Sequence, residues 1–165
     1  MLYSLHKQRV YAYCLRMLGN HMQDAEDATQ NAFVHVYGNI STLDHPASFK
    51  YWLYTIVRNE VYGRFRRQKG APFVPFDRVE RPAPDSESPH SILERQETAN
   101  MLQTALERLK PDQREAIHLR EFDGLTYAEI AAITESTEDA VRARLFKGRK
   151  ELARLLSSGS IERKK

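Results

Sequence analysis

LTYAEIAAITESTEDAVRARLFKGRK, residues 125–150, holds two short amphipathic patterns and the turn between them. Thr126 with Glu129 spells a capping box, in which each side chain satisfies the other's backbone amide. The helix it starts, YAEIAAI, lasts barely two turns. Ile130 and Ile133 face a core, and Ala131 is small enough to let a second helix cross closely. A turn at Thr134-Glu135-Ser136 leads to Thr137, the expected cap of a longer helix. Glu138 and Asp139 stand in its first turn, where negative charge complements the helix dipole. Val141, Leu145 and Leu152 point inward, which leaves Arg142, Ala143, Phe146, Lys147 and Arg149 outward. A short capped helix, a tight turn and a longer basic helix form a helix-turn-helix, whose outward arginines can grip guanine or a phosphate in the major groove. A solvated terminal helix would carry the same charges. The capped helix before it favours DNA.

Upstream of this unit, Leu102, Ala105, Leu106 and Leu109 mark one helix, opened by a capping box of Ser91 and Glu94 and ended at Lys110-Pro111. Another short helix, DQREAIHLREF, ends at Asp123-Gly124. Before these lies GAPFVPFDRVERPAPDSESPHS, residues 70–91, with five prolines and no sustained helical period. Proline removes backbone donors and holds its neighbour extended, so this stretch reads as a linker.

The half before the linker is also helical. Val10, Tyr13, Cys14, Met17 and Leu18 repeat at helical spacing until Gly19-Asn20. A second helix is expected to start at Asp24 as its cap and to bury Ala25, Ala28, Ala32, Phe33 and Val36. Its polar face, Asp24, Asp27, Gln30, Asn31 and Val34, suits a protein partner or plain solvent. A third and longest helix, entered near Pro46, carries Phe49, Trp52, Leu53, Ile56, Val57, Val61 and Phe65 on one face. The face opposite holds Tyr51, Tyr54, Thr55, Arg58, Asn59, Tyr62, Arg66 and Arg67. Aromatic rings can stack on unpaired bases while arginines track the backbone; tyrosines packed on neighbouring helices would look the same.

Charge follows this division. Residues 1–70 carry nine Lys and Arg against five acids, residues 93–141 five against eleven, and residues 142–165 nine against two. Two basic zones separated by acidic material suit a polyanion partner. The single Cys14 excludes an internal disulfide and reads as core packing, and no zinc-ligand spacing exists among the scattered histidines. No glycine-rich phosphate loop, nucleophile elbow or paired-carboxylate signature points to an enzyme, a cofactor or a catalytic residue. No apolar run is long enough to span a bilayer and no signal peptide is seen, so a cytoplasmic location is expected.

Three segments together resemble one family. RVYAYCLRMLGNHMQDAEDATQNAFVHVY (9–37), SFKYWLYTIVRNEVYGRFRRQK (48–69) and LKPDQREAIHLREFDGLTYAEIAAITESTEDAVRARLFKGRKEL (109–152) look, in order, like the segments of bacterial RNA polymerase sigma factors of the extracytoplasmic-function (ECF) type. The resemblance implies an all-α chain: a promoter-melting helical bundle over residues 1–69, the linker 70–91, a four-helix domain with its helix-turn-helix over 92–157, and a basic tail 158–165. It implies that Asp27, Gln30, Asn31 and Val34 dock on the clamp helices of the polymerase's largest subunit, with Asn31 where most members carry Glu. The loop of Leu43, Asp44, His45 and Ser48, with Asn59, would capture a flipped base of the −10 element. Tyr54, Arg58, Tyr62, Arg66 and Arg67 would line the melted strand.

Arg142, Ala143, Phe146, Lys147 and Arg149 would read the −35 element, with Tyr127 near a phosphate. Ala143 replaces the usual serine. Glu135 stands where glycine is common, so a left-handed backbone there would cost on the order of 1 kcal/mol. Implied partners are core RNA polymerase, including the flap of its second-largest subunit, promoter DNA, and an anti-sigma factor that could hold the chain at the membrane. A short leading extension present in many relatives is expected to be absent here, and SSGSIERKK is too short for a further domain. The competing reading is a stand-alone helix-turn-helix regulator, which would dimerise on a palindrome and needs no single-strand surface.

Overall fold

The computed structural model describes residues 2–68 and 89–162, so most of the expected linker and the last tail residues lie outside the described residues. Those described form helices and turns. In the first lobe, α1 (Leu2–Met17) stops where Gly19 and Asn20 both take left-handed φ, +66° and +64°. That sharp reversal lays α2 (Met22–Asn39) back along α1. Ala25, Ala28 and Ala32 are fully buried on α2, and their small side chains let the helices approach closely. Thr29 is buried among them, its hydroxyl donating to the Ala25 carbonyl at 2.7 Å. Two 3-10 turns, Ile40–Thr42 and Pro46–Ser48, then feed α3 (Phe49–Gln68). Leu53, Val57 and Val61 of α3 are fully buried against the first two helices.

One expected boundary moves. Asp24 is not the cap of α2: the helix begins at Met22 after an extended His21 without a side-chain cap. Asp24 stands in the first turn, where its charge favours the dipole, and faces Arg64 of α3 at 3.4 Å. Arg64 also reaches Glu60 at 3.2 Å, tying the start of α2 to the end of α3. Cys14 is fully buried as core, and that burial pushes its thiol up to about 12.

The second lobe contains α4 (Pro89–Glu107), α5 (Pro111–Ile117) running into a π-helical turn (His118–Phe122), α6 (Tyr127–Ile133) and α7 (Glu138–Glu162). Helix α4 thus starts before Ser91, inside the segment read as linker. Gly124 ends the π turn with φ +67°. Helix α7 packs on α4, α5 and α6. Gly148 makes the α5 crossing possible, since a Cβ there would lie 2.9 Å from Ile117 Cδ1 and 3.3 Å from Gln113 Cβ.

The lobes also touch. Helix α1 packs on α4 and α5, and α3 packs on α6. Buried apolar residues of both lobes join one cluster.

Candidate nucleic-acid interface

Local hydrogen bonds set the helix-turn-helix. Glu129 N donates to Thr126 Oγ1 at 3.2 Å, and Thr126 N donates to Glu129 Oε2 at 2.8 Å, completing the capping box. The backbone bond from Thr126 holds the Glu129 carboxyl below its ordinary range. Glu135 takes φ +51°, the left-handed conformation that turns the chain. Thr137 Oγ1 accepts from Ala140 N at 3.2 Å and caps α7. Arg144 does not join the outward face. Half-buried, it reaches back to the hydroxyl of Ser136 at 3.2 Å and pins the turn.

Val141 and Leu145 are buried, which rotates Arg142, Ala143, Phe146, Lys147 and Arg149 into solvent together. Phe146 is 68% exposed, a large apolar ring with no covering neighbour among the described residues. Arg142 donates to Asp139 at 2.9 Å, while Arg149 Nε donates to Glu121 Oε1 at 3.1 Å. The Tyr127 ring lies beneath the guanidinium groups of Arg120 and Arg142, at 5.1 and 5.8 Å. Behind this face opens a cleft of about 490 Å³ lined by Arg108, Lys110, Gln113, Lys147, Lys150, Glu151 and Arg154. Lys147 and Lys150 belong to the basic stripe legible in the sequence, while the packing of α7 on α4 and α5 brings Arg108, Lys110 and Gln113 beside them.

In the first lobe Asn59 is exposed at a cleft of about 450 Å³ with His35, Asn39, Thr42, Trp52, Ile56 and Glu60. Asn59 and Glu60 supply hydrogen-bonding groups beside the apolar sides of Trp52 and Ile56, a composition suited to a planar polar ring. Of the adjoining loop, Asp44, His45 and Ser48 are exposed and Leu43 is half-buried. Arg66 and Arg67 are exposed at the end of α3. Along α2, Gln30, Asn31 and Val34 are exposed and Asp27 partly so; Asn31 donates to Glu60 at 3.2 Å. Val34 and Tyr37 are 69% and 60% exposed on that helix, and Tyr37 was not singled out because an aromatic at helical spacing reads as core.

Tyr54, Arg58 and Tyr62 are elsewhere. They turn into the contact between lobes, and Tyr54 is 3% exposed. Glu115 of α5, itself 1% exposed, accepts from Tyr13 Oη at 2.6 Å, from Arg58 Nε at 3.0 Å and from Tyr62 Oη at 2.8 Å. Asp123 accepts from Tyr54 Oη at 2.7 Å. Its Oδ2 also lies 3.2 Å from His118 Nε2. Arg16 donates to His118 Nδ1 at 3.0 Å. Burial raises the Tyr62 and Tyr54 phenols well above their ordinary 10.0, and the carboxylates beside them add to it.

Burial alone would disfavour the charge on Asp123, but the His118 ring beside it and the bond from Tyr54 outweigh that and hold its carboxyl below its ordinary 3.8. A depressed carboxyl contributes stability that is present above its unfolded value and lost as pH falls through the folded one. The melting temperature should therefore drop as pH is lowered below about 4. Asp123→Asn should flatten that drop in a scan from pH 6 to pH 3. An equally steep fall in the variant would assign the acid sensitivity to other carboxyls.

Among the described residues no group of His, Cys, Asp and Glu is placed to hold a metal, and no helix is long and apolar enough to cross a membrane. Residues 2–71 match the family model described as Sigma-70 region 2, and residues 99–152 that described as Sigma-70, region 4. The ECF RNA polymerase sigma factor SigE of Mycolicibacterium smegmatis is 35% identical over 162 residues, taking in 95% of this chain and 61% of that protein. The RNA polymerase sigma-H factor of Pseudomonas aeruginosa is 30% identical over 142 residues, 81% of this chain and 74% of the other. Among solved structures, the sigma factor RpoE in complex with the anti-sigma factor NepR from Bartonella quintana has a TM-score of 0.78. That match covers 94% of each chain at 24% identity, a likeness of fold.

Proposed function

The chain belongs to the sigma-70 family, as an RNA polymerase sigma factor of the ECF type, and from that premise we propose that it directs core polymerase to promoters and helps to melt them. One finding carries the reading: matches to Sigma-70 region 2 and to Sigma-70, region 4 stand in one chain in that order, so that a helix-turn-helix lobe comes with a second lobe of its own. A stand-alone regulator would need only the region 4 lobe.

In this reading residues 1–69 bind the clamp helices through Asp27, Gln30, Asn31 and Val34 and handle the −10 element. Leu43, Asp44, His45, Ser48 and Asn59 hold an extruded base, and Tyr54, Arg58, Tyr62, Arg66 and Arg67 follow its strand. Residues 92–157 read the −35 element with Arg142, Ala143, Phe146, Lys147 and Arg149, Tyr127 lying by a phosphate, and rest on the flap. The chain acts in the cytoplasm and catalyses no reaction itself. An anti-sigma factor controls it, as one binds RpoE in the related structure, and can retain it at a membrane.

The test is transcription by purified core polymerase from a pool of genomic fragments, with the 5′ ends of the products sequenced. Discrete starts sharing two spaced upstream elements are expected. No starts with the cognate core would return the competing regulator. Within that assay Asn59→Ala should slow strand opening about fivefold while leaving core binding intact, since one pocket hydrogen bond contributes roughly 1 kcal/mol. Permanganate reactivity of unpaired thymines reads the opening directly, and unchanged reactivity would remove Asn59 from the pocket.

A further inference from the structure

We propose that Glu115 and Asp123 act in cis as phosphate mimics, docking the second lobe on the single-strand surface of the first and masking it in the free protein. The inference rests on the initiation reading for its ligand, but its geometry stands alone. Two phenols and a guanidinium converge on Glu115 within 2.6–3.0 Å, and a third phenol meets Asp123 at 2.7 Å. Guanidinium and hydroxyl donors are the groups that fix nucleic-acid phosphates, and a carboxylate offers them the same anionic oxygens. Three of these four donors, Tyr54, Arg58 and Tyr62, project from the α3 face that sequence assigns to the melted strand. While they hold a carboxylate, they cannot hold a phosphodiester.

The chemistry of the contact also makes it reversible. Around the carboxylates the facing groups are polar: Arg16 meets His118 and lies over the Phe122 ring at 3.5 Å, and Arg114 donates to the Met17 carbonyl at 2.9 Å. Parting them returns groups that water satisfies, unlike a purely apolar seam. The mask is selective. Arg142 and Phe146 remain well exposed on α7, so duplex binding stays available while Tyr54, Arg58 and Tyr62 are withheld from a single strand.

When only the open fraction binds, apparent affinity falls by that fraction. Glu115→Gln should therefore raise the affinity of the full chain for a fluorescent single-stranded oligonucleotide by about tenfold, the gain when a one-tenth open fraction becomes dominant. It should raise the radius of gyration by small-angle scattering and leave duplex affinity unchanged. Glu26→Gln removes the same charge from the exposed side of α2 and should change neither. Should Glu115→Gln lose helical content, Asp123→Asn, which releases Tyr54 alone, carries the same comparison. Lobes that part without any gain in single-strand affinity would overturn the mask, as would lobes that stay closed. If the wild type nevertheless initiates transcription with core, the initiation reading survives that result; if initiation also fails, it falls too.

Discussion

Arg114→Ala is expected to cost about 3–5 kcal/mol of folding stability. The side chain is 8% exposed and ends two helices at once. Its Nε donates to Leu106 O at 2.9 Å, and Nη2 donates to Glu107 O at 2.6 Å and Leu109 O at 3.2 Å, closing the end of α4. Its Nη1 donates to Met17 O, closing the end of α1. Terminal carbonyls have no partner within their own helix and carry the negative end of the dipole, so a cation among them is favoured twice over. Burial pulls Arg114 below its ordinary value, yet a guanidinium keeps its charge in proteins. Alanine would leave these carbonyls buried and unpaired, at roughly 1–3 kcal/mol each where water does not enter. Urea melts should show the loss, and Arg114→Lys should recover part of it, because an ammonium supplies the charge but not the fork. A cost below about 1 kcal/mol would mean that relaxation or water supplies the missing donors.

Why Arg114 was invisible beforehand is instructive. The sequence places it in DQREAIHLREF as one more cation on a short amphipathic helix, and its acceptors are carbonyls, which have no letter in a sequence. Glu115, His118 and Asp123 were missed for a related reason. Their partners Tyr13, Arg16 and Tyr54 lie 102, 102 and 69 positions away, and periodicity reports only which residues share a face, not what covers it. Tyr54 falls opposite the apolar stripe of α3, where period alone predicts exposure; a second lobe buries it. By contrast, the helix-turn-helix was legible because its determinants are local. The Thr126–Glu129 box, the Thr137 cap and the alternation that buries Ile130, Ile133, Val141 and Leu145 all act within one or two turns. Asp24 marks the limit of such reasoning: an acid near a helix start favours the dipole from several positions, so it does not fix which residue is the cap.

Arg142→Ala is expected to weaken binding of the polymerase complex to its preferred upstream element by about 2 kcal/mol, roughly thirtyfold, and scarcely to affect unrelated duplexes. In the free protein Arg142 is 62% exposed, paired with Asp139 three residues earlier on the same helix and loosely set over the Tyr127 ring at 5.8 Å. An exposed pair of that kind contributes a few tenths of a kcal/mol, so little opposes transfer of the guanidinium to DNA. A bidentate bond to the O6 and N7 of guanine returns about 1–3 kcal/mol of discrimination. Arg149 differs, because Glu121 from the π-helical turn already holds it, and leaving that pair offsets part of any gain. Competition binding against duplexes altered one base pair at a time separates the possibilities. Loss of discrimination at a single position in Arg142→Ala would establish a base contact. Uniform weakening on every duplex, with the salt dependence reduced by about one counterion, would make Arg142 a phosphate contact instead and leave Phe146 and Lys147 to carry the sequence reading.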